Sequence, residues 1–144
     1  MTLTQIASRN TRSLSLMMGG IGAHFLAQAW EAVLPSGSAL RLVPFVIILM
    51  ALAVMLFGAA GILRTTLGSS RAERVAVKAD EWHRHVGHRA GNAAFVVALL
   101  TLAVFEVLPA ARLPEAETVV RVVFGIATLG FGLALWRLDR MGGA

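Results

Sequence analysis

The sequence predicts an all-α polytopic membrane protein with four transmembrane helices. Three observations lead there. Of 144 residues, 57% are hydrophobic and 15% charged, with a mean hydropathy of +0.73, whereas soluble domains are about 45–50% apolar and about 25% charged. Four apolar segments, residues 13–34, 42–63, 90–108 and 118–138, reach the ~20 residues that a bilayer-crossing helix needs. None alternates with a period of two, and lipid cannot satisfy an open strand edge, so the spans are helices. This composition excludes a disordered chain, a soluble enzyme domain and a nucleic-acid module. The net charge of +5 sits beside the apolar spans, where it anchors and orients them.

The first span follows Arg9 and Arg12 and carries His24, Gln28 and Glu31. A cleaved leader ending at Ala27-Gln28-Ala29 is the competing reading. His24 and the neighbouring glycines make a poor signal core, so a retained span is favoured. The second span has no charged residue, and its Pro44 falls in the first helical turn, where a missing N–H costs little.

Residues 64–89 are expected to hold an amphipathic cytoplasmic helix. Ser70-Arg71-Ala72-Glu73 is a capping box, in which the serine oxygen and the glutamate each satisfy an orphan backbone donor. Val75, Ala79, Trp82 and Val86 follow as an apolar stripe. Asp80–Arg84 and Glu81–His85 stand four apart, as helical ion pairs do. This helix either lies on the headgroups with Trp82 dipping in or runs on into the third span, with Gly87 and Gly91 as possible bends. Arg74, Lys78 and Trp82 are its candidate contacts with headgroups or a partner.

The third span ends at Glu106 and the fourth opens near Arg121. Basic residues favour the cytoplasmic side. Most of them flank the N-terminus, the central loop and the C-terminus, while the two short connections hold only Arg41, Arg112 and Arg121. Both termini and the central loop are therefore expected in the cytoplasm. The abundance of Ala, Gly, Val, Leu and Arg associates the chain with a GC-rich bacterial genome, and hence with a bacterial inner membrane.

The two halves look alike. Trp30-Glu31-Ala32-Val33-Leu34-Pro35 matches Phe105-Glu106-Val107-Leu108-Pro109, and Phe57-Gly58 before Arg64 matches Phe131-Gly132 before Arg137. Two tandem two-helix hairpins are the favoured reading, parallel repeats of the kind some transporters contain. Ordinary prolines and arginines at helix ends are the alternative.

Polar groups within a bilayer are costly and usually face the bundle interior. His24, Gln28 and Glu31 share one helical face, which is either a polar pathway or packing glue. Glu31, Arg41, Glu106 and Arg121 belong at similar depth as an outer charge cluster, pairing across hairpins or gating an anion. His85 and His88 share a face and are weak metal candidates, while His83 points away, which defeats a three-ligand site. Haem would need an axial His inside the bundle, and only His24 is so placed. No cofactor is expected. Gly19, Ala23 and Ala27, then Gly61, and then Gly125, Thr128 and Gly132 supply small faces for close helix packing.

There is no cysteine, no phosphate-cradling loop, no H-E-x-x-H and no G-x-S-x-G, so no enzyme is expected. Length and span count alone resemble small multidrug transporters. The first-span Glu lies at the helix end rather than deep inside, and the central loop is long, so that family is set aside. The expected function is an accessory or interaction subunit of a membrane complex, or a homo-oligomer, with lipid and another membrane protein as partners and no nucleic acid. A small-solute, ion or proton-coupled transporter or channel is the first alternative, and a haem or metal carrier the second.

Overall fold

A computed structural model of the chain describes residues 3–79, 81–109 and 113–142, without the side chains of residues 4, 74, 78, 79, 81–83 and 142. Helix α1 covers Leu3–Val33, α2 Leu42–Gly68, α3 Arg71–Ala79, α4 Glu81–Val107 and α5 Ala116–Gly142, and a short 3-10 turn at Ala39–Arg41 leads into α2. No strand occurs among the described residues.

Three helices, not four, are long and apolar enough to cross a membrane: Ala39–Gly68, Arg84–Val107 and Ala116–Met141. Helix α2, at 27 residues, is about 40 Å long, which exceeds a hydrocarbon core of about 30 Å. Helix α1 has the length, 31 residues, but not the apolarity. Arg12, Ser13, Ser15, three glycines, His24, Gln28 and Glu31 interrupt it.

The packing explains that composition. The long helices form an open row, α2–α1–α5–α4, rather than a closed bundle: α1 packs along both α2 and α5, α4 packs on α5, and α2 and α4 share at most stray contacts. Helix α1 therefore faces protein on two sides. Gly20 and Gly22 allow close approach, and residues that small lack the methyl groups that would have made the helix greasy. A Cβ on Gly58 would stand 2.6 Å from the Met17 nitrogen, and one on Gly20 would stand 2.8 Å from the Ala51 carbonyl. Toward α5, a Cβ on Gly22 would stand 2.7 Å from the Gly125 carbonyl, and one on Gly132 would stand 2.9 Å from the Ser15 carbonyl. Both interfaces are thus backbone against backbone, as small-residue faces allow. The buried Ser15 hydroxyl adds a bond to the Gly132 carbonyl at 2.7 Å. Gly19, expected to mark the small face, has open space around its would-be Cβ. The close contacts fall on Gly20 and Gly22 instead.

Neighbours in the row run antiparallel. Asn10 meets Thr65, and Arg41 meets Leu34 at the opposite end. Ser8 and Arg12 meet Asp139, while Gly22 meets Gly125. The starts of α1 and α4 and the ends of α2 and α5 consequently share one end of the row. Val86, Ala90 and Leu135 form a small core there, with Leu14, Phe131 and Leu138 against it.

Both expected hairpins form, α1 with α2 and α4 with α5, but they do not pack alike. Helix α1 meets α2 through Ser13, Met17 and Gly20. Aligning Glu31 with Glu106 places His88, Asn92 and Phe95 at those positions in α4, and all three are exposed. Helix α4 turns Val86, Ala90 and Val97 to α5 instead.

The capping box closes as its spacing requires. The Ser70 backbone N–H donates to Glu73 Oε2 at 2.7 Å, and the Glu73 N–H donates to Ser70 Oγ at 3.2 Å. These bonds to the charged form, with the backbone N–H of Ser70 contributing most, hold the Glu73 carboxyl below its ordinary value of 4.5. Helix α3 ends at Ala79 and α4 begins at Glu81. Residue 80 between them lies outside the described residues, and Gly87 and Gly91 lie within unbroken α4. Helix α3 touches both α1 and α4. The expected Asp80–Arg84 and Glu81–His85 pairs involve side chains that lie outside the described residues.

Candidate functional site

At the end of the row opposite Asp139, a polar cavity of about 350 Å³ opens between α1, the 3-10 turn and α5. Gln28, Glu31 and Ala32 line it from α1, Arg41 from the turn and Arg121 from α5. Each is placed by local sequence. Gln28 and Glu31 are three apart, hence on one helical face. Pro35 follows the end of α1, and Gly37 takes the left-handed conformation, φ +82°, that only glycine adopts cheaply. Ser38 then caps the 3-10 turn, its Oγ accepting from the Leu40 N–H at 3.2 Å. That turn delivers Arg41, whose Nη2 donates to the Leu34 carbonyl at 3.0 Å. A basic side chain here satisfies an orphan carbonyl and the negative end of the α1 dipole. Arg41 Nε is buried without a hydrogen-bond partner.

Arg121 is half-buried and pairs with Glu117, one turn earlier on α5. Glu31 bonds directly to neither arginine among the described contacts. Two guanidiniums and one carboxylate therefore share a space open to solvent. Such a group suits a small anion, a zwitterion or ordered water.

The expected outer cluster is thus three-quarters present. Glu31, Arg41 and Arg121 come together. Glu106 does not: it is exposed on α4, and α5 stands between that helix and α1. The partner of Arg121 is Glu117, which the cross-hairpin expectation missed. Its signal was the four-residue spacing, the commonest helical ion pair.

Gln28 and Glu31 meet in the cavity, but His24 lies deeper and does not line it. The His24 ring stands edge-on to Phe25, centroids 5.7 Å apart, and Phe25 stands edge-on to Phe124 at 4.9 Å. His24 Nδ1 is buried without a hydrogen-bond partner. An orphaned ring nitrogen in a packed interior is costly.

At the Asp139 end, Arg12 Nε donates to Asp139 Oδ2 at 3.0 Å and Ser8 Oγ donates to the same oxygen at 3.2 Å. The Asp139 side chain is 11% exposed. This tie between α1 and α5 was also missed, since the residues are 127 apart in sequence.

Among the described residues no group of three or more His, Cys, Asp or Glu is placed to hold a metal ion. His85 and His88 are exposed on α4, at the end of the row away from the cavity. The side chains of His83 and of the candidate contacts Arg74, Lys78 and Trp82 lie outside the described residues. The chain matches no protein-family model, and neither a curated protein nor a solved structure is significantly similar to it.

Proposed function

We propose that this protein is a non-enzymatic subunit of a bacterial inner membrane, with both termini cytoplasmic, that binds another membrane helix along α4. The carrying observation is the bare face of that helix. Among the described residues, α5 is the long helix that α4 packs along, and His88, Asn92, Phe95 and Leu99 form one exposed face opposite. An asparagine side chain on a lipid-facing helix is expensive, and a second helix satisfies it. That face also aligns with the one α1 uses toward α2, so it has the register of a helix-binding surface.

In this reading α1 crosses the membrane as well. It runs antiparallel along α2 from one end to the other and must share its depth. Its polar groups are tolerated because α2 and α5 cover it, just as polar residues elsewhere in membranes face the protein interior. Trp30 near one end of the row and Trp136 near the other are both exposed, as interfacial belts require. Arg140 lies over the Trp136 ring at 4.0 Å, a pairing that keeps the cation near headgroup level.

Extraction in mild detergent followed by intact-assembly mass measurement tests the proposal. The expected species is larger than one chain and dissociates with Asn92→Leu. A monomer without partners, active in solute flux, overturns it. The second reading, a small transporter, rests on the polar cavity and the unpartnered His24 Nδ1. Proton or solute flux in liposomes that His24→Ala abolishes would establish it.

A further inference from the structure

The cavity between α1, the 3-10 turn and α5 holds two opposite charges that do not meet. Glu31 and Arg41 both line it and both are half-buried. Neither forms an ion pair with the other or with another of the described residues. Opposite charges that share a small, half-buried space attract strongly, so their separation needs a cause. Each is held by its own element. Glu31 belongs to the last turn of α1. Arg41 is fixed by the Ser38-capped turn and by its Nη2 bond to the Leu34 carbonyl at 3.0 Å. The guanidinium keeps hydrogen-bonding capacity, since its Nε is buried with no partner among the described residues. Gln28, one turn deeper, adds an amide that can both donate and accept.

The charges select the class of ligand. Arg121 is already paired with Glu117, so the two guanidiniums and two carboxylates described around the cavity cancel. A simple anion drawn to Arg41 meets Glu31, and a simple cation drawn to Glu31 meets Arg41. A molecule that carries both charges satisfies both side chains. The volume, about 350 Å³, lies at the low end of small-molecule sites, roughly 300–1,000 Å³. One turn below Gln28 and Arg121, Phe25 and Phe124 meet edge-on at 4.9 Å and give the polar lining an apolar floor. We propose that this cavity binds one small zwitterion, its anionic end on the Arg41 guanidinium and its ammonium on the Glu31 carboxylate. Charge-assisted bonds at both ends make such a ligand fit where either half alone does not. A free amino acid and the headgroup of phosphatidylethanolamine share this chemistry. The inference concerns the cavity alone and does not depend on a helix partner for α4.

The whole chain, purified in a sugar-headed detergent, is titrated calorimetrically with glycine and with phosphoethanolamine. In a second arm it is reconstituted into mixed phosphatidylethanolamine and phosphatidylcholine vesicles and extracted gently for native mass measurement. Saturable binding of a free zwitterion assigns the cavity to a soluble ligand. One phosphatidylethanolamine retained per chain in preference to phosphatidylcholine assigns it to lipid. Either result supports the proposal. Acetate and ethylammonium, which carry one charge each, should bind the wild type at least about tenfold more weakly than the zwitterions. That comparison needs no variant, so it holds even if a substitution disturbs folding. Glu31→Gln and Arg41→Gln should each weaken binding by about tenfold or more, as the loss of a charge-assisted hydrogen bond does. Glu106→Gln, the same charge loss on exposed α4, should leave it unchanged. Acetate binding as tightly as glycine overturns the proposal by making the cavity an anion site. Equal weakening by Glu106→Gln and Glu31→Gln overturns it as well. So does the absence of both free-zwitterion binding and phosphatidylethanolamine preference, which leaves the cavity to water.

Discussion

Gly20 and Gly19 are neighbours on α1 with opposite surroundings, and substituting each by alanine tests the packing directly. A Cβ on Gly20 would stand 2.8 Å from the Ala51 carbonyl oxygen, 2.8 Å from the Met55 nitrogen and 3.1 Å from its Cα. All three are backbone atoms of a continuous helix, so none can swing aside. Relief to an ordinary 3.4 Å contact requires α1 and α2 to part by about 0.6 Å there, a gap that forfeits a quarter or more of each lost contact. Overpacking of this kind costs about 1–3 kcal/mol. Better helix propensity returns up to about 1 kcal/mol, leaving Gly20→Ala about 1–2 kcal/mol less stable. Gly19 has nothing within 4 Å of its Cβ position, so Gly19→Ala gains the propensity and loses nothing. The assay is reversible unfolding in mixed micelles, followed by circular dichroism. The two variants should differ by about 2 kcal/mol, or about 30-fold in the unfolding equilibrium. Equal stability would refute the close α1–α2 approach.

Two further outcomes follow from local chemistry. Because Glu73 titrates below its ordinary value, its capping contribution is complete above pH 4.5 and is lost as pH falls through the lowered value in the folded state. Amide exchange at the start of α3 should accelerate over that acidic window, and Glu73→Gln should remove the pH dependence; an acid-insensitive wild type would contradict the closed box. Asp139→Asn should cost about 1 kcal/mol, a modest figure since the Arg12 side chain is 67% exposed, and Arg12→Gln added to it should cost little more. Additive losses in that double-variant cycle would show that the pair is not coupled.

The helical class, the spans of α2, α4 and α5 and the capping box were legible in the sequence because each depends on local order. A long apolar run or an S-x-x-E spacing determines structure within a few turns. The role of α1 was legible only in part. His24, Gln28 and Glu31 read either as a pathway or as packing glue, and nothing local shows that Gly20 and Gly22 stand against two different helices. Which faces of a helix are covered depends on tertiary order, and α2–α1–α5–α4 is not the order of the chain. The same gap explains Glu106, assigned by its depth to a cluster from which α5 separates it. Asp139 was invisible for want of any local partner, whereas Glu117 could have been found from its spacing to Arg121.

The account depends on α2 crossing the membrane between the short connection at its start and the central loop at its end, and cysteine accessibility measures that directly. The native chain has no cysteine, so single substitutions report cleanly. With Ser38→Cys, Ser70→Cys and Glu115→Cys introduced separately into cells, a membrane-impermeant maleimide should label positions 38 and 115 from outside. Position 70 should react only after the membrane is permeabilised. Labelling of 38 and 70 from the same side would mean that α2 does not cross. Outside labelling at 70 with protection at 38 and 115 would reverse the proposed orientation.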